Sequence, residues 1–339
     1  MSRRSAPASP RRGWWIRIAL VVLLAIPVVL LLSWPQVFGA QRAPGVAQLI
    51  AFRAALAIGF GVLALATAVV ALLLRSRGAA AVLAVILAGG AVANAVTLGA
   101  RGSGGALSDG DLTVLAWNTQ LGATSAQDVA DLVAEVDADI VTLPETDAEA
   151  VAEIARVLAD AGRPMAADTM HTDSSYPWIE TSVLIAGHLG AYREDTAVGP
   201  APGPSGVWVP VDGDGPTIVA AHTVPPLPDT MDTWQAGLRW IADRCDHPDV
   251  IVAGDLNATV DHLTGLGTDG HLLGTCDDTA LAAGAGAAGT WPSNLPGWLA
   301  APIDHVLTGP GWTVRGVRAV DVPAGGGDHR ALVTVLVRG

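Results

Sequence analysis

Lysine is absent from this 339-residue chain, so all 19 basic residues are arginine. Acidic residues are absent from the first 108 positions; the first of the 32 is Asp109. Ten arginines lie in residues 1–101, so that segment carries a formal +10, the remainder −23, and the whole −13. The chain is therefore two objects of opposite charge. A part at −23 without lysine is poorly suited to a nucleic-acid backbone, which is held by Lys and Arg, unless its nine arginines cluster. Cysteine occurs twice, as Cys245 and Cys276, at a spacing unlike that of a zinc site. The two can pair in an oxidising compartment or stay as buried thiols. No repeat of fixed period is present.

Charge is missing again in three windows, between Arg17 and Arg42, Arg53 and Arg75, and Arg77 and Arg101. Each is rich in Leu, Val, Ala and Ile and reaches the roughly 20 residues needed to cross a hydrocarbon core. Membrane helices are expected at about 18–38, 54–74 and 79–99, because lipid leaves backbone polar groups no partner outside a helix. A cleaved signal peptide followed by buried soluble helices is the alternative. Arg3, Arg4, Arg11, Arg12 and Arg17 precede the first window, and Arg75 and Arg77 separate the second from the third. The excess of positive charge on that side places the N-terminus in the cytoplasm. Three crossings then put the acidic part outside the plasma membrane. This divides the chain into a membrane domain (1–101), a Gly/Ser linker (102–110) and one soluble domain (111–339).

In the soluble part, strand-like and helix-like segments alternate. Residues 112–118, 139–145, 181–186, 206–211, 217–223, 249–257, 302–308, 313–320 and 331–337 read as strands. Residues 125–138, capped by Ser125, 148–162 and 233–245 have helical spacing. The pattern suggests layered α/β or α+β architecture. Five apolar runs end in a polar side chain: Asn118, Glu145, His222, Asp255 with Asn257, and Asp304. Asp328 and His329 precede the last strand. These are the residue types that a hard cation and an activated water require. If the strand stays extended through Asn257, Asp255 and Asn257 face the same way.

The series "WN", "LPET", "AHTVPP", "VAGDLNA", "IDHVL" and "GGDHRALV" resembles the endonuclease/exonuclease/phosphatase (DNase I-like) superfamily over about residues 111–338. The resemblance implies a four-layer sandwich of two mixed sheets flanked by helices, with the site at one edge. It implies a Mg²⁺ cofactor, with Mn²⁺ or Ca²⁺ as alternatives, held by Glu145, Asn118 and Asp328. It implies that Asp255 orients or deprotonates the attacking water and that Asn257 steadies the phosphate. His329 would bond a phosphate oxygen, and Asp328 would orient it or act at the metal. Asp304 would support the histidine, and His222 would serve the leaving group. The family often has a Gly-rich stretch where this chain has Glu180 and Thr181, and Tyr176 is the sole candidate for a phosphate-contacting Tyr or Arg. His171, His188, His262 and His271 match nothing and read as solvated loop residues. His305 reads as strand packing or support for the site. Trp291, Pro292 and Trp298 in "GTWPSNLPGW" read either as a lip at the site or as packing.

The membrane layout is similar to that of actinobacterial membrane proteins related to the VanJ teicoplanin-resistance protein. The expected activity is metal-dependent hydrolysis of a lipid-linked or small phosphoester at the bilayer, since a tether raises the local concentration of a lipid substrate. A nuclease acting outside the cell and a non-catalytic binding module are the alternatives.

Overall fold

The computed structural model describes residues 10–73, 77–170, 180–198, 201–213, 215–323 and 326–339. Tyr176, His171 and Arg75, singled out above, lie outside the described residues, as do Arg3 and Arg4. The chain divides into two units, Met1–Leu98 and Gly99–Gly339.

The first unit is helical: α1 (Pro10–Ser33), α2 (Val46–Ala51), α3 (Arg53–Leu73) and most of α4 (Arg77–Arg101). Gly13–Ser33, Arg53–Leu73 and Gly78–Arg101 are long and apolar enough to cross a membrane, with mean hydropathies of 2.8, 2.6 and 2.2. Helix α1 stops at Ser33 rather than running to 38. Pro35 has no N–H and disfavours a helical Trp34, and a short 3₁₀ turn, Pro35–Phe38, follows. The few polar groups among these helices bond each other. Arg53 donates to Asn94 Oδ1 (2.8 Å) and to the Ser33 carbonyl (3.1 Å), and Asn94 donates to Ser33 Oγ (3.1 Å). All three residues are buried, and the bonds join α1, α3 and α4.

The second unit holds two six-stranded sheets. The first contains β1 (Leu112–Ala116), β2 (Ile140–Pro144), β3 (Met165–Thr169), β4 (Thr181–Ala186), β13 (Trp312–Val320) and β14 (Ala331–Arg338), in the order β13-β14-β1-β2-β4-β3. The second contains β5 (Tyr192–Glu194), β6 (Gly206–Pro210), β7 (Thr217–His222), β8 (Val250–Asp255), β11 (Asp277–Asp278) and β12 (Asp304–Thr308), in the order β11-β12-β8-β7-β6-β5. A small ladder pairs β9 (Leu266–Gly267) with β10 (Leu273–Gly274). Both large sheets mix parallel and antiparallel pairs.

Strand alternation makes the layers. Val114, Ala116 and Ile140 face inward and share one core with Trp208, Ile218, Ile251 and Val306 of the other sheet. Leu115, Val141 and Leu143 face outward, under Val129, Leu132 and Val133 of α5 (Ala126–Glu135) and Val151, Ile154 and Leu158 of α6 (Ala148–Asp160). In the second unit α7 (Met231–Ala242) buries Trp234, Leu238 and Ile241. Ser125 caps α5 by accepting from Asp128 N at 3.1 Å, as its position predicts. The expected sandwich of two mixed sheets flanked by helices is therefore present. The short helices α8 (Val260–Leu263) and α9 (Thr279–Ala282), and strands β3 and β5, were not foreseen.

Cys245 and Cys276 form a disulfide. Residues 101 and 102 are hydrogen-bonded into the domain rather than lying free of it. Arg101 makes a bidentate ion pair with buried Asp261, at 2.9 and 2.7 Å. Gly286 N donates to the Arg101 carbonyl (3.0 Å) and Ala287 N to that of Gly102 (2.7 Å). Gly102 has φ +68, and a Cβ there would meet the Gly284 carbonyl oxygen at 2.0 Å, so only glycine fits.

Candidate active site

Strand direction collects the polar residues at one edge. In the second sheet β7 and β8 run parallel and β12 runs against β8, so His222, Asp255 and Asp304 stand side by side in register. Asp304 begins its strand rather than ending one, which corrects the sequence reading; the antiparallel direction of β12 brings its first residue to the edge where β8 finishes. In the first sheet β1 and β2 run parallel, and Asn118 and Glu145 follow their ends. Strand β14 is antiparallel to β1, so Asp328 and His329, just before it, come to the same edge. Trp117 Nε1 fixes them by donating to the His329 carbonyl at 3.1 Å.

The two edges meet through Asn118. Its Nδ2 lies 3.0 Å from Glu145 Oε1 and 3.2 Å from Asp255 Oδ2, joining carboxylates from opposite sheets. Its Oδ1 accepts from Gln120 N at 2.9 Å. Asn257 does not extend the strand: β8 ends at Asp255, and Asn257 has φ +46. The expectation of an extended run through Asn257 is thus overturned. The chain turns instead, because Asp255 Oδ1 accepts from Asn257 N at 2.7 Å, a side-chain turn that Asn tolerates in the left-handed region. Asn257 Nδ2 then reaches the Thr223 carbonyl (2.9 Å) and Asp255 Oδ2 (3.3 Å). Glu145 is also left-handed, at φ +57. That conformation is strained for Glu and is typical of functional positions. Thr119 Oγ1 holds it by donating to the Glu145 carbonyl at 3.0 Å.

His329 and Asp304 form a dyad, Nδ1 to Oδ2 at 2.9 Å, while His329 Nε2 faces Asp255 Oδ2 at 3.7 Å and Asp328 Oδ1 at 3.9 Å. Asp328 Oδ2 accepts from Trp291 Nε1 at 2.9 Å, which places Trp291 beside the site; Trp298 is exposed. His222 Nε2 lies 3.9 Å from Glu145 Oε1, and Ser205 Oγ bonds both the N–H and the carbonyl of His222.

Burial raises the Asp255 carboxyl to about 7, with His329 opposing and Asp304 adding to the rise. Burial would lower His329, but the charges of Asp304 and Asp255 outweigh it and hold the imidazolium up to about 10. Burial, helped by the charge of His329, lowers His222 to about 4. His222 is therefore neutral near pH 7, a hydrogen-bond donor but a weak acid. Among the described residues, Asp304 Oδ1 and His222 Nδ1 are buried without a hydrogen-bond partner.

The donor set fits a hard divalent cation. Glu145, Asp255, Asp304 and Asp328 present carboxylate oxygens around one imidazolium, and the two that are buried, Asp255 and Asp304, are costly to hold charged without a counter-ion. Asp255, Asp304 and His329 offer ligand atoms all within 4.8 Å of one another. His329 Nδ1 and Asp304 Oδ2 are engaged with each other, however, so a cation there would draw on the remaining carboxylate oxygens.

The other histidines part ways. His188 is exposed, and His271 pairs with Asp277 at 2.7 Å. His262 is buried rather than solvated: its Nδ1 accepts from Thr259 N at 2.7 Å, capping α8, and its ring meets Trp234 edge-on. His305 is buried too, between Asp278 and the Ala258 carbonyl. Burial would lower it, but its bond to Asp278 and the charge of that carboxylate raise it above the ordinary range. Thr223, Ser205, Asp278 and Thr290, whose Oγ1 accepts from Asp304 N at 3.2 Å, are supports of these residues that sequence reading missed. Each acts on a residue far off in the chain, so no local signal announces it.

A family profile described as "Endonuclease/Exonuclease/phosphatase family" matches residues 115–329, more than half of the chain. No curated protein sequence matches. Among solved structures, the fold is similar to a 3′ phosphatase, NExo, from Neisseria bound to a product DNA hairpin, with 15% identity, TM-score 0.50, and 66% of this chain and 98% of that one covered. It is similar to D. rerio TDP2 complexed with a single-strand DNA product, with 14% identity, TM-score 0.50, and coverage of 67% and 99%. A structure described as an endonuclease/exonuclease/phosphatase from Beutenbergia cavernae has 18% identity, TM-score 0.47 and coverage of 68% and 72%.

Proposed function

The chain belongs to the endonuclease/exonuclease/phosphatase family, and from that membership we propose that it is a membrane-anchored, divalent-metal-dependent phosphoester hydrolase whose catalytic domain lies outside the plasma membrane. The observation that carries the reading is the meeting of two sheet edges at Asn118, which joins Glu145 to Asp255 beside the His329–Asp304 dyad.

Asp255, raised to about 7, is matched to accepting a proton from water at neutral pH. Asn257 Nδ2, anchored by the Thr223 carbonyl at 2.9 Å and only loosely engaged by Asp255 at 3.3 Å, keeps one N–H to turn to a phosphate, and the His329 imidazolium is a second donor; such donors stabilise the charge that develops in a transition state. Asp304 keeps His329 charged and oriented. Trp291 holds Asp328, and His222 offers an N–H on the Glu145 side. Glu145, Asn118 and Asp328 are the residues we assign to the cation, Mg²⁺ or else Mn²⁺ or Ca²⁺; when bound, it would supply charge neutralisation at the phosphate. Activity on a phosphoester should vanish in EDTA and return with Mg²⁺ or Mn²⁺, and full turnover in chelator would remove the metal from the account.

The substrate class we favour is a lipid-linked or small phosphate at the outer leaflet. The similarity to VanJ-related proteins points to an isoprenoid-linked cell-wall intermediate. A nuclease is the second reading, favoured by the likeness to folds solved with DNA products. Charge weighs against it. Arg156, Arg163, Arg318, Arg330 and Arg338 each pair with a carboxylate of the domain, which leaves few cations for phosphates. Assays of duplex DNA beside polyprenyl phosphates and sphingomyelin, with Mg²⁺, separate these readings. Greater turnover of DNA would overturn ours.

The external placement is supported by the excess of arginine before the first span and by the disulfide, a bond that persists in oxidising compartments. Protease added to intact cells should remove the C-terminal domain. Protection of that domain while an exposed control is digested would reverse the orientation.

A further inference from the structure

Besides the His329–Asp304 dyad, the domain contains a second buried histidine–aspartate pair. His305 Nδ1 lies 2.7 Å from Asp278 Oδ2, and its Nε2 lies 2.7 Å from the Ala258 carbonyl oxygen. Both partners only accept hydrogen bonds. The ring must therefore carry a proton on each nitrogen, a buried imidazolium with no acceptor role. His305 and Asp278 are each 3% exposed, so neither is in a position to touch a substrate. Asp278 is itself fixed, because its Oδ1 accepts from Leu281 N at 2.6 Å as the cap of α9.

What His305 grips is the residue after Asn257. The turn Asp255-Leu256-Asn257-Ala258 leaves the strand with Asn257 left-handed at φ +46. It is held on one side by Asp255 Oδ1 on Asn257 N and by the Thr223 carbonyl on Asn257 Nδ2. The Ala258 carbonyl is the grip on the other side. Neighbouring residues fix His305 in turn: Asp304 and His305 pair with Asp255 and Gly254 across the ladder. Gly254 has no room for a side chain, since a Cβ would come within 1.9 Å of the Ala221 carbonyl oxygen.

We propose that His305, oriented by Asp278, is a positioning residue that holds the Asn257 turn in its working geometry through the Ala258 carbonyl. The proposal rests on the reading of Asn257 as a phosphate-stabilising donor. A turn clamped on one side only would let the Asn257 amide drift, and a displacement of about 1 Å in such a group costs on the order of a hundredfold in rate.

Two variants divide the imidazolium. In His305→Asn the amide nitrogen stands near the old Nδ1, keeping Asp278 and losing Ala258. In His305→Gln it stands near the old Nε2, keeping Ala258 and losing Asp278. With full-length protein, Mg²⁺ and a chromogenic aryl phosphodiester, His305→Asn should lower kcat by about ten- to a hundredfold with KM little changed. His305→Gln should restore most of that turnover even where it lowers the melting temperature. A merely structural role predicts the reverse, with turnover following stability. In an Asn257→Ala background His305→Asn should have no further effect on kcat, since the two act as one unit. Equal losses in both backgrounds, or undiminished kcat in His305→Asn, would overturn the proposal alone. An Asn257→Ala variant with undiminished kcat would overturn the role of Asn257 and the proposal with it. If His305→Asn fails to fold, His305→Phe combined with Asp278→Asn, which keeps the α9 cap, leaves no buried charge and removes the bond to the Ala258 carbonyl, should show the same loss of kcat at steady KM, and its absence counts equally against us.

Discussion

Asp255→Asn should lower turnover by about 10²- to 10⁴-fold, the range for loss of a general base, while the protein becomes more stable at alkaline pH. The two effects have one cause. Asp255 is fully buried beside Asp304, and its carboxyl is raised to about 7 by that burial first and, after it, by the neighbouring charge. An unfolded Asp titrates near about 3.9. For a group whose folded value is raised, the stabilising contribution is complete below the unfolded value and is lost as pH rises through the folded one. Wild-type protein therefore gives up stability between about pH 4 and 7 through this group, and Asn, which does not titrate, does not. His329 keeps Asp304, its closer partner at 2.9 Å, in the variant. Melting curves recorded in chelator at pH 5 and pH 8 should show the advantage of Asp255→Asn widening with pH. Turnover above a tenth of wild type, or a variant that melts lower at pH 8, would count against Asp255 as a buried base.

Much of this site was legible because its signals are local. The runs Leu112–Ala116, Ile140–Pro144 and Val250–Asp255 declare themselves by apolar β-formers and stop at a polar group. Alternation within β1 sends Val114 to one core and Leu115 to the other. Ser125 and the spacing of Val129, Leu132 and Val133 mark α5. Where the reading failed, the deciding partner lies elsewhere in the chain. Asp255, two residues before Asn257, is a local turn signal, but the turn is also held by the Thr223 carbonyl and by His305 on Ala258, which lie far off in the chain. His262 looks like a loop histidine until Thr259 and Trp234 enclose it. Strand β3, Met165–Thr169, is mostly exposed and lacks the apolar run that marks its neighbours. The cysteine pairing was undecidable from spacing, since it depends on how the fold brings together two residues 31 apart in the chain.

Arg101→Ala should destabilise the catalytic domain by about 3–5 kcal/mol, the usual cost of removing one partner from a buried ion pair. Its guanidinium meets both oxygens of Asp261, and the side chains are only 14% and 2% exposed. Without Arg101 that carboxylate is buried and lacks its bidentate cation. For a domain of this size the loss corresponds to a fall in melting temperature on the order of 10 °C. Trp234 is a built-in reporter, since it packs on His262, the residue next to Asp261. Arg101→Ala with Asp261→Asn should recover much of the loss, because the uncompensated charge is then gone and the two substitutions are coupled. Asp261 stands four residues beyond Asn257, in the short helix that follows the Asn257 turn. A domain cut at residue 111, the boundary that composition suggests, discards this pair together with the bonds that Gly286 and Ala287 make to residues 101 and 102. It should therefore melt well below one that begins at Gly99. Equal melting of the two, or an Arg101→Ala variant within about 1 kcal/mol of wild type, a surface-pair value, would show that the pair contributes no more than an exposed one.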